Sequence, residues 1–297
     1  MSLVPRGILP AMITPRTKDG KVNYAVLREL IEYMINGGVH GIFAIGTTGE
    51  FYSLSDTEYQ EILEVTVDQV AGRLPVYAGA NCIGTRECIH LAEIATRVGG
   101  IDAISVLTPY FIGINQNEMY HHFAAIAAST DLSIILYDNA PKTHLTIHAD
   151  TVARLADIPN IVGIKDSTGD LSHTADILNQ TKGKDFCVMM GRDSLIHAAL
   201  SYGASGAVAA TANIAPKLVS NIYNKYVSGD VAGALEDQYK LLPLRLAFSI
   251  GSFPAVIKEG LEMLGIEAGP CALPTGPLSN EQREKLREIL TGMELLP

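Results

Sequence analysis

The sequence is poor in the features that mark nucleic-acid-binding and membrane proteins. Lysine and arginine number 22 against 32 aspartates and glutamates, so the chain of 297 residues has a formal net charge of -10 at pH 7. This balance argues against nucleic acid as a partner, because contacts with phosphates require basic patches. No apolar run approaches the roughly 20 residues that span a bilayer, and the N-terminus has no signal-peptide pattern. We therefore expect neither a nucleic-acid nor a membrane partner.

Cysteine is scarce as well. The four cysteines contain no CxxC pair and are too few for a disulfide scaffold; they are Cys82, Cys88, Cys187 and Cys271. A reduced, cytoplasmic protein fits this pattern best.

Patterns for nucleotides and metals are missing or weak. No GxGxxG follows the first apolar run, and no GK[ST] follows the glycine-rich GTTGE, which argues against a dinucleotide-binding sheet and a Walker phosphate loop. His144 and His148 have the i, i+4 spacing of a helical metal site, but their β-branched segment THLTIH precedes the expected start of a helix. We expect no metal and no other cofactor.

What the sequence does contain is a regular alternation of short apolar runs and amphipathic segments. The runs are apolar on both faces, as parallel strands are when helices cover them. They occupy residues 8–15, 41–46, 75–80, 102–107, 132–137, 161–166, 186–191 and 206–211. The segments between them have helical start signals, such as Asn23 as a cap and Ser55 with Glu58 as a capping box.

Eight strand–helix units predict a (β/α)8 TIM barrel over residues 1–228. A doubly wound open sheet is the rival architecture, but the number of units favours closure into a barrel. Residues 229–297 contain three more segments with helical periodicity. We expect these segments to form a helical appendage packed on the barrel rather than a separate domain.

Lys165 is the most informative candidate for chemistry. It lies near the end of the sixth run, and the functional groups of a barrel gather at the C-terminal ends of its strands. An apolar interior favours the neutral amine, which can attack a ketone and form a Schiff base. Alternatively, a buried carboxylate such as Asp166 neutralises the lysine, although neighbours along a strand point to opposite faces. The residues alone leave both interpretations open.

Two further strand ends carry polar groups. Tyr137 ends the fifth run, where it is either a proton relay beside Lys165 or a rim tyrosine with its hydroxyl in water. GTTGE, residues 46–50, offers two hydroxyls and successive N–H groups. These groups suit a carboxylate, or a turn whose threonines cap the next helix.

Five segments together resemble the dihydrodipicolinate synthase and N-acetylneuraminate lyase superfamily of class I pyruvate aldolases. They are GTTGE (46–50), TPYF (108–111), LYDNAPKT (136–143), GIKDSTGD (163–170) and GASGAVAATAN (203–213). Each segment is a weak signal alone, but they occur in the right order on the right strands, and the similarity covers nearly the whole chain. The resemblance implies a homotetramer built from tight dimers, which acts on a small 2-oxo acid and an aldehyde.

The resemblance also implies roles for individual residues. Lys165 would form the Schiff base with pyruvate, or with a 2-oxo acid that yields pyruvate, and Tyr137 and Thr47 would relay protons. Thr48 and Gly49 would hold the pyruvate carboxylate. The other implied pocket residues are Gly191 and Val208 in the wall, Lys142 for the carboxylate of the aldehyde, and Asp193 for a polyol chain.

Several positions depart from the family pattern. Phe111 stands where the synthases usually have a tyrosine that completes the proton relay of the partner subunit, and phenylalanine has no hydroxyl. Lys142 replaces an arginine, which keeps the charge and loses the bidentate geometry. Ser194 replaces a glutamate of the sialic acid lyases. Ile83 replaces an asparagine of the lysine feedback site of the synthases, so allosteric inhibition by lysine is not expected.

We therefore expect a Schiff-base, pyruvate-dependent aldolase or lyase for an acidic or hydroxylated aldehyde, with a 2-oxo-3-deoxy sugar acid as the compound cleaved or formed. A dihydrodipicolinate synthase, which condenses pyruvate with aspartate semialdehyde, is the first alternative. A sugar-acid dehydratase and a non-catalytic sugar-acid sensor are the others.

Overall fold

Eight parallel strands form the centre of the molecule in the computed structural model, which describes residues 4–296. Neighbouring strands follow chain order, and the eighth pairs with the first. The strands are β1 (Gly7–Pro10), β2 (Ile42–Ala44), β3 (Val76–Gly79), β4 (Ala103–Leu107), β5 (Ser133–Asp138), β6 (Ile161–Asp166), β7 (Cys187–Met190) and β8 (Gly206–Ala209). A parallel bridge between Ala11 and Phe43 joins the extension of β1 to β2, and Met12 N donates to the Phe43 carbonyl at 2.9 Å. The sheet thus closes, and the predicted TIM barrel is confirmed.

Helices follow the strands, and all but the short turn Ala140–Thr143 cover the outside of this barrel. They are α1 (Tyr24–Asn36), α2 (Asp56–Val70), α3 (Thr85–Val98), α4 (Gln116–Ala127), α5 (Ala140–Thr143), α6 (Ala149–Leu155), α7 (Leu171–Gln180), α8 (Ile196–Tyr202) and α9 (Pro216–Val227). The predicted start signals are confirmed: Asn23 accepts from Val26 N, and Ser55 and Glu58 form a capping box. The single turn α5 was not expected from the sequence.

Three further helices follow the barrel, as expected for the appendage. They are α10 (Val231–Ala247), α11 (Ala255–Met263) and α12 (Asn280–Gly292). Along residues 4–296, no helix is both long enough and apolar enough to cross a bilayer. The division of the chain at residues 228 and 229 stays a prediction.

The core has an inner and an outer part. A small cluster inside the barrel consists of Leu9, Ala11, Phe43, Tyr77, Ala103, Ile135, Val162, Cys187, Met189 and Val208. A much larger cluster lies between the strands and the helices. The inner cluster fills the barrel, so polar side chains at the C-terminal ends of the strands lie on an apolar floor.

The pairing of β5 with β6 places two functional side chains next to each other. The register shifts by one residue between Ile134 and Ile135, and beyond this shift Tyr137 pairs with Lys165. On its other side Lys165 pairs with Met189 of β7. A shift of this kind re-aims the side chains beyond it, so Tyr137 and Lys165 project from adjacent strands at the same height.

Candidate active site

A cavity of about 300 Å³ lies at the C-terminal ends of the strands. Most of the residues expected from the sequence line it: Thr47, Thr48, Tyr137, Lys142, Lys165, Gly191, Asp193 and Val208. The cavity is therefore where the barrel rule places it. Two expected residues, Gly49 and Phe111, lie outside its wall.

Lys165 occupies the base of this cavity. Its side chain is only 4% exposed, and Nζ lies 4.0 Å from the centroid of the Tyr137 ring and 5.0 Å from that of Phe43. Within residues 4–296, no carboxylate makes a salt bridge with Lys165. An amine surrounded by rings and facing an open cavity is positioned for attack on a bound carbonyl.

The Asp166 carboxylate binds an amide and two hydroxyls instead of the Lys165 amine. One of its oxygens accepts from the amide and hydroxyl of Thr168 at 2.9 and 2.7 Å, and the other accepts from the Thr174 hydroxyl at 2.6 Å. Its carboxylate therefore joins the end of β6 to the loop and to helix α7. It holds the segment after Lys165 rather than the lysine amine.

Tyr137 is the second functional group of the cavity. Its hydroxyl accepts a hydrogen bond from Asn139 Nδ2 at 2.9 Å and shares one with Thr47 Oγ1 at 3.3 Å. Burial raises the pKa of the Tyr137 phenol, but the positive charge of Lys165 and the hydrogen bonds at the hydroxyl lower it by more. The pKa of this phenol thus lies below its usual value, which suits a group that exchanges protons with its neighbours.

The loop that carries Thr47 and Thr48 is held by buried charges. Glu50 is fully buried, and its carboxylate lies 2.7 Å from Lys258 Nζ of α11 and accepts from Ala272 N at 2.7 Å. Gly49 packs against the backbone of Ile45 and Met12, and its carbonyl accepts from Thr14 Oγ1 at 2.7 Å. Gly49 lies outside the cavity wall, and its contact with a substrate carboxylate stays a prediction.

The other expected residues lie around the rim. Lys142 Nζ lies 5.3 Å from the centroid of the Phe253 ring. The Gly191 carbonyl accepts from Ser167 Oγ at 3.3 Å. Asp193 is buried, and one of its carboxylate oxygens accepts from Thr211 N at 2.7 Å. Asp193 is thus partly committed to holding the loop after β8.

Phe111 lies away from the cavity. Its side chain is 93% exposed, and its backbone has φ +72°, in the left-handed region that side chains rarely adopt. This geometry turns the ring outward, away from the site of its own chain.

Several lining residues were missed by sequence reasoning. Asn139 follows Tyr137 by two positions, and strand periodicity was a signal that could have indicated its direction. Four others belong to the appendage: Arg245, Phe248, Ser249 and Phe253. The rule that functional groups gather at the ends of barrel strands does not apply to the appendage. No sequence signal therefore indicated these appendage residues.

The two histidines considered as metal ligands lie at the ends of different helices. His144 follows α5 and His148 precedes α6. The described part of the chain contains no group of three or more histidine, cysteine and acidic side chains that could hold a metal ion.

The fold and this arrangement define a class of protein: a TIM-barrel aldolase or lyase of class I, which works through a lysine. The chain belongs to the dihydrodipicolinate synthetase family, whose sequence model matches residues 4–293.

Individual relatives are similar over almost their full length. The 4-hydroxy-tetrahydrodipicolinate synthase of Methanothrix thermoacetophila is 38% identical over 97% of each chain. The crystal structure of the chloride-inhibited dihydrodipicolinate synthase of Acinetobacter baumannii with pyruvate is 34% identical, has a TM-score of 0.95 and covers 98% of this chain and 99% of its own. YagE, a family member from E. coli K12 also solved with pyruvate, is 30% identical with a TM-score of 0.94, over 98% of this chain and 99% of its own.

Proposed function

We propose that this chain condenses pyruvate with aspartate semialdehyde, the reaction of a 4-hydroxy-tetrahydrodipicolinate synthase. The observation that carries the proposal is Lys165, a buried lysine that forms no salt bridge with a carboxylate of residues 4–296 and lies beside Tyr137 at the mouth of the barrel. The relatives named as synthases, at 38% identity over nearly the whole chain, favour this reaction over the sugar-acid cleavage expected first from the sequence.

The first half of the reaction attaches pyruvate to the enzyme. Tyr137 acts first as a phenolate and takes a proton from the Lys165 ammonium, and the free amine then attacks the 2-oxo carbon of pyruvate. The hydroxyl of Thr48 holds the pyruvate carboxylate. Tyr137, in contact with Thr47, returns a proton to the departing oxygen, which leaves as water and gives the imine. This placement assigns proton transfer to the two hydroxyls that already share a hydrogen bond.

The second half forms the carbon–carbon bond. The positively charged imine withdraws electrons, so the methyl carbon of pyruvate loses a proton to the Tyr137 phenolate and the imine becomes an enamine. The former methyl carbon attacks the aldehyde carbon of the semialdehyde, whose oxygen takes that proton back from Tyr137 and becomes a hydroxyl. The amino group of the new adduct then attacks the imine carbon, closes the ring and releases the Lys165 amine.

A second candidate is cleavage of a 2-oxo-3-deoxy sugar acid, which uses the same Schiff base in reverse. It is favoured by Phe111, which has no hydroxyl to lend to a proton relay, and by Asp193, whose carboxylate reaches the cavity wall where a polyol would lie.

The assembly and compartment are proposed in the same way. We propose a homotetramer in which the exposed Phe111 ring packs at an interface between two subunits as an apolar contact. The four cysteines are free thiols, which supports a reducing, cytoplasmic environment.

A comparison of the rates of the two candidate reactions tests the proposal. The purified chain is given pyruvate with aspartate semialdehyde or with glyceraldehyde, and product formation is followed with Lys165→Ala as the control. We expect kcat/KM for the semialdehyde to exceed that for glyceraldehyde by at least about tenfold, a difference of roughly 1.4 kcal/mol in transition-state binding. The reverse preference would assign the chain to sugar-acid aldol chemistry.

A further inference from the structure

The wall of the cavity carries more positive than negative side chains among the residues that the structure describes. Besides Lys165, the lining includes Lys142, Arg192 and Arg245, against the single carboxylate of Asp193. Within residues 4–296, none of these three cations forms a salt bridge, although eleven other lysines and arginines do. The whole chain has a formal net charge of -10, so this wall is opposite in sign to the molecule around it.

Two phenylalanines of the appendage hold two of these cations at the wall. The rings of Phe248 and Phe253 contact each other edge to face, with centroids 5.9 Å apart. The Arg245 guanidinium lies 5.4 Å from the Phe248 centroid, and Lys142 Nζ lies 5.3 Å from the Phe253 centroid. Each cation rests on one ring of a contacting pair, so a segment from the barrel and a helix from the appendage each place a positive charge in the wall of the cavity.

Arg192 brings a third positive charge from another direction. It is half-buried in the loop after β7, and it packs closely on the backbone of Gly169, where an added Cβ would come within 2.9 Å of Nε. Gly169 has φ +84°, so both its conformation and its missing side chain suit this approach.

The two kinds of cation on the paired rings offer different hydrogen-bond geometry. The lysine ammonium is a point charge, whereas the guanidinium of Arg245 has a planar fork that binds a carboxylate through two parallel N–H donors. In the described part of the chain, the side-chain nitrogens of Arg245 and Lys142 donate no hydrogen bond to protein, so these donors remain available to a ligand.

We propose that Arg245, together with Lys142, forms a subsite for a carboxylate at the end of the substrate remote from its 2-oxo group. The substrate or product held in this cavity is then a dicarboxylate, with one carboxylate near Thr48 and the other on Arg245. Arg192 adds to the attraction without a direct bond in this scheme. The inference rests on the proposed function and identifies Arg245 as a residue that determines its specificity.

A matched pair of ligands tests the subsite without the natural aldehyde. One ligand is 2-oxopimelate, which has the carbon chain of the adduct of pyruvate with aspartate semialdehyde, and the other is 2-oxoheptanoate, the same chain without the distal carboxylate. Binding of each to the full chain is measured by calorimetry. We expect 2-oxopimelate to bind roughly tenfold to hundredfold more tightly, the range of hydrogen bonds to a charged group.

Variants at Arg245 then show where this preference originates. Arg245→Met keeps a long side chain on Phe248 and should abolish the preference, whereas Arg245→Lys should restore only part of it because the fork is lost. Binding of pyruvate should be unchanged in both. The matched control is Arg287→Met, which alters an arginine of α12 that is half-exposed and lies near Glu284.

The results separate this inference from the proposed function. Equal binding of the two ligands to the unaltered chain, or an equal loss for both in Arg245→Met, would overturn the subsite. Lys165→Ala removes the covalent chemistry, and the preference should persist in it at reduced affinity. If borohydride traps no pyruvate on the unaltered chain while the Arg245-dependent preference remains, the proposed function fails and the subsite stands.

Discussion

In the proposed reaction, proton transfer depends on the Tyr137 hydroxyl. Tyr137 contacts Thr47 and Asn139 by hydrogen bonds, and its ring faces Lys165. Sequence reasoning could bring Thr47, Tyr137 and Lys165 together, because each ends a strand and parallel strands end at one edge. It could not place Gly49 outside the cavity wall or Phe111 away from it, since loop conformations depend on contacts with distant residues such as Thr14.

Replacing the Tyr137 hydroxyl should slow the reaction without disturbing pyruvate binding. In Tyr137→Phe we expect kcat to fall by about 10²–10³, the contribution typical of a positioned acid or base. KM for pyruvate should change little, because the ring that packs beside Lys165 is kept. Steady-state kinetics and circular dichroism measure the two effects, and a variant with full kcat would remove Tyr137 from the proton relay.

The hydrogen bond from Asn139 should be visible in the pH dependence of the rate. This donor stabilises the phenolate and so lowers the pKa of Tyr137. Asn139→Leu removes the donor with little change in volume, so the pKa of Tyr137 rises. One limb of the kcat/KM profile should depend on Tyr137 and be abolished by Tyr137→Phe. In Asn139→Leu this limb should move to higher pH. A limb that stays in place, or moves to lower pH, would contradict this.

Among the elements, β6 shows what the sequence could and could not predict. The apolar run at residues 161–166 coincides with the strand Ile161–Asp166. The register shift against β5 had no signal, because Ile161, Val162 and Ile164 are apolar on both faces and fit either register. Without that shift Tyr137 would pair with Ile164 instead of Lys165. The pairing that builds the site is therefore a property of the closed sheet.

The loop after β2 depends in a similar way on the appendage. Lys258 of α11 is 3% exposed, forms a salt bridge with Glu50 at 2.7 Å and donates to the Pro270 carbonyl at 2.8 Å. Burial lowers the pKa of Lys258, while Glu50 acts in the opposite direction. The loop that carries Thr47 and Thr48 is thus tied to α11 through one buried ion pair.

Removing one partner of this pair should destabilise the fold. In Lys258→Met the Glu50 carboxylate stays buried and loses its nearest cation, since Arg16 Nε lies 4.0 Å away. Breaking a buried pair in this way costs roughly 3–5 kcal/mol, so we expect a clearly lower Tm by calorimetry. The double variant Glu50→Gln/Lys258→Met removes the stranded charge and should recover part of the loss. A single variant with an unchanged Tm would show that Arg16 suffices.

The whole molecule builds its cavity from two parts of the chain. The barrel supplies Lys165, Tyr137 and the threonines, and the appendage supplies Arg245, Phe248 and Phe253. Alternation of strands and helices predicted the barrel, and helical periodicity predicted the appendage. Neither pattern indicates which face of the appendage helices covers the mouth of the barrel, because this depends on how the folded barrel and the helices pack against each other.

The exposure of Phe111 leads to a prediction about the assembly of subunits. Phe111 is 93% exposed and Ile112 44% exposed, an apolar pair at the end of a loop. A charge placed between two subunits is costly to bury. If the proposed tetramer forms, Phe111→Asp should therefore reduce the mass measured by light scattering below that of four chains. Phe111→Tyr keeps the ring and should keep the assembly. An unaltered mass for the aspartate variant would place Phe111 outside any interface.

The central claim is that Lys165 forms the Schiff base, and trapping tests it most directly. The chain is incubated with pyruvate, reduced with borohydride, digested and analysed by peptide mass spectrometry, with Lys165→Ala as the control. We predict one reduced pyruvyl adduct, on the peptide that contains Lys165, and none in the variant. An adduct confined to another lysine, or no adduct at saturating pyruvate, would contradict the account.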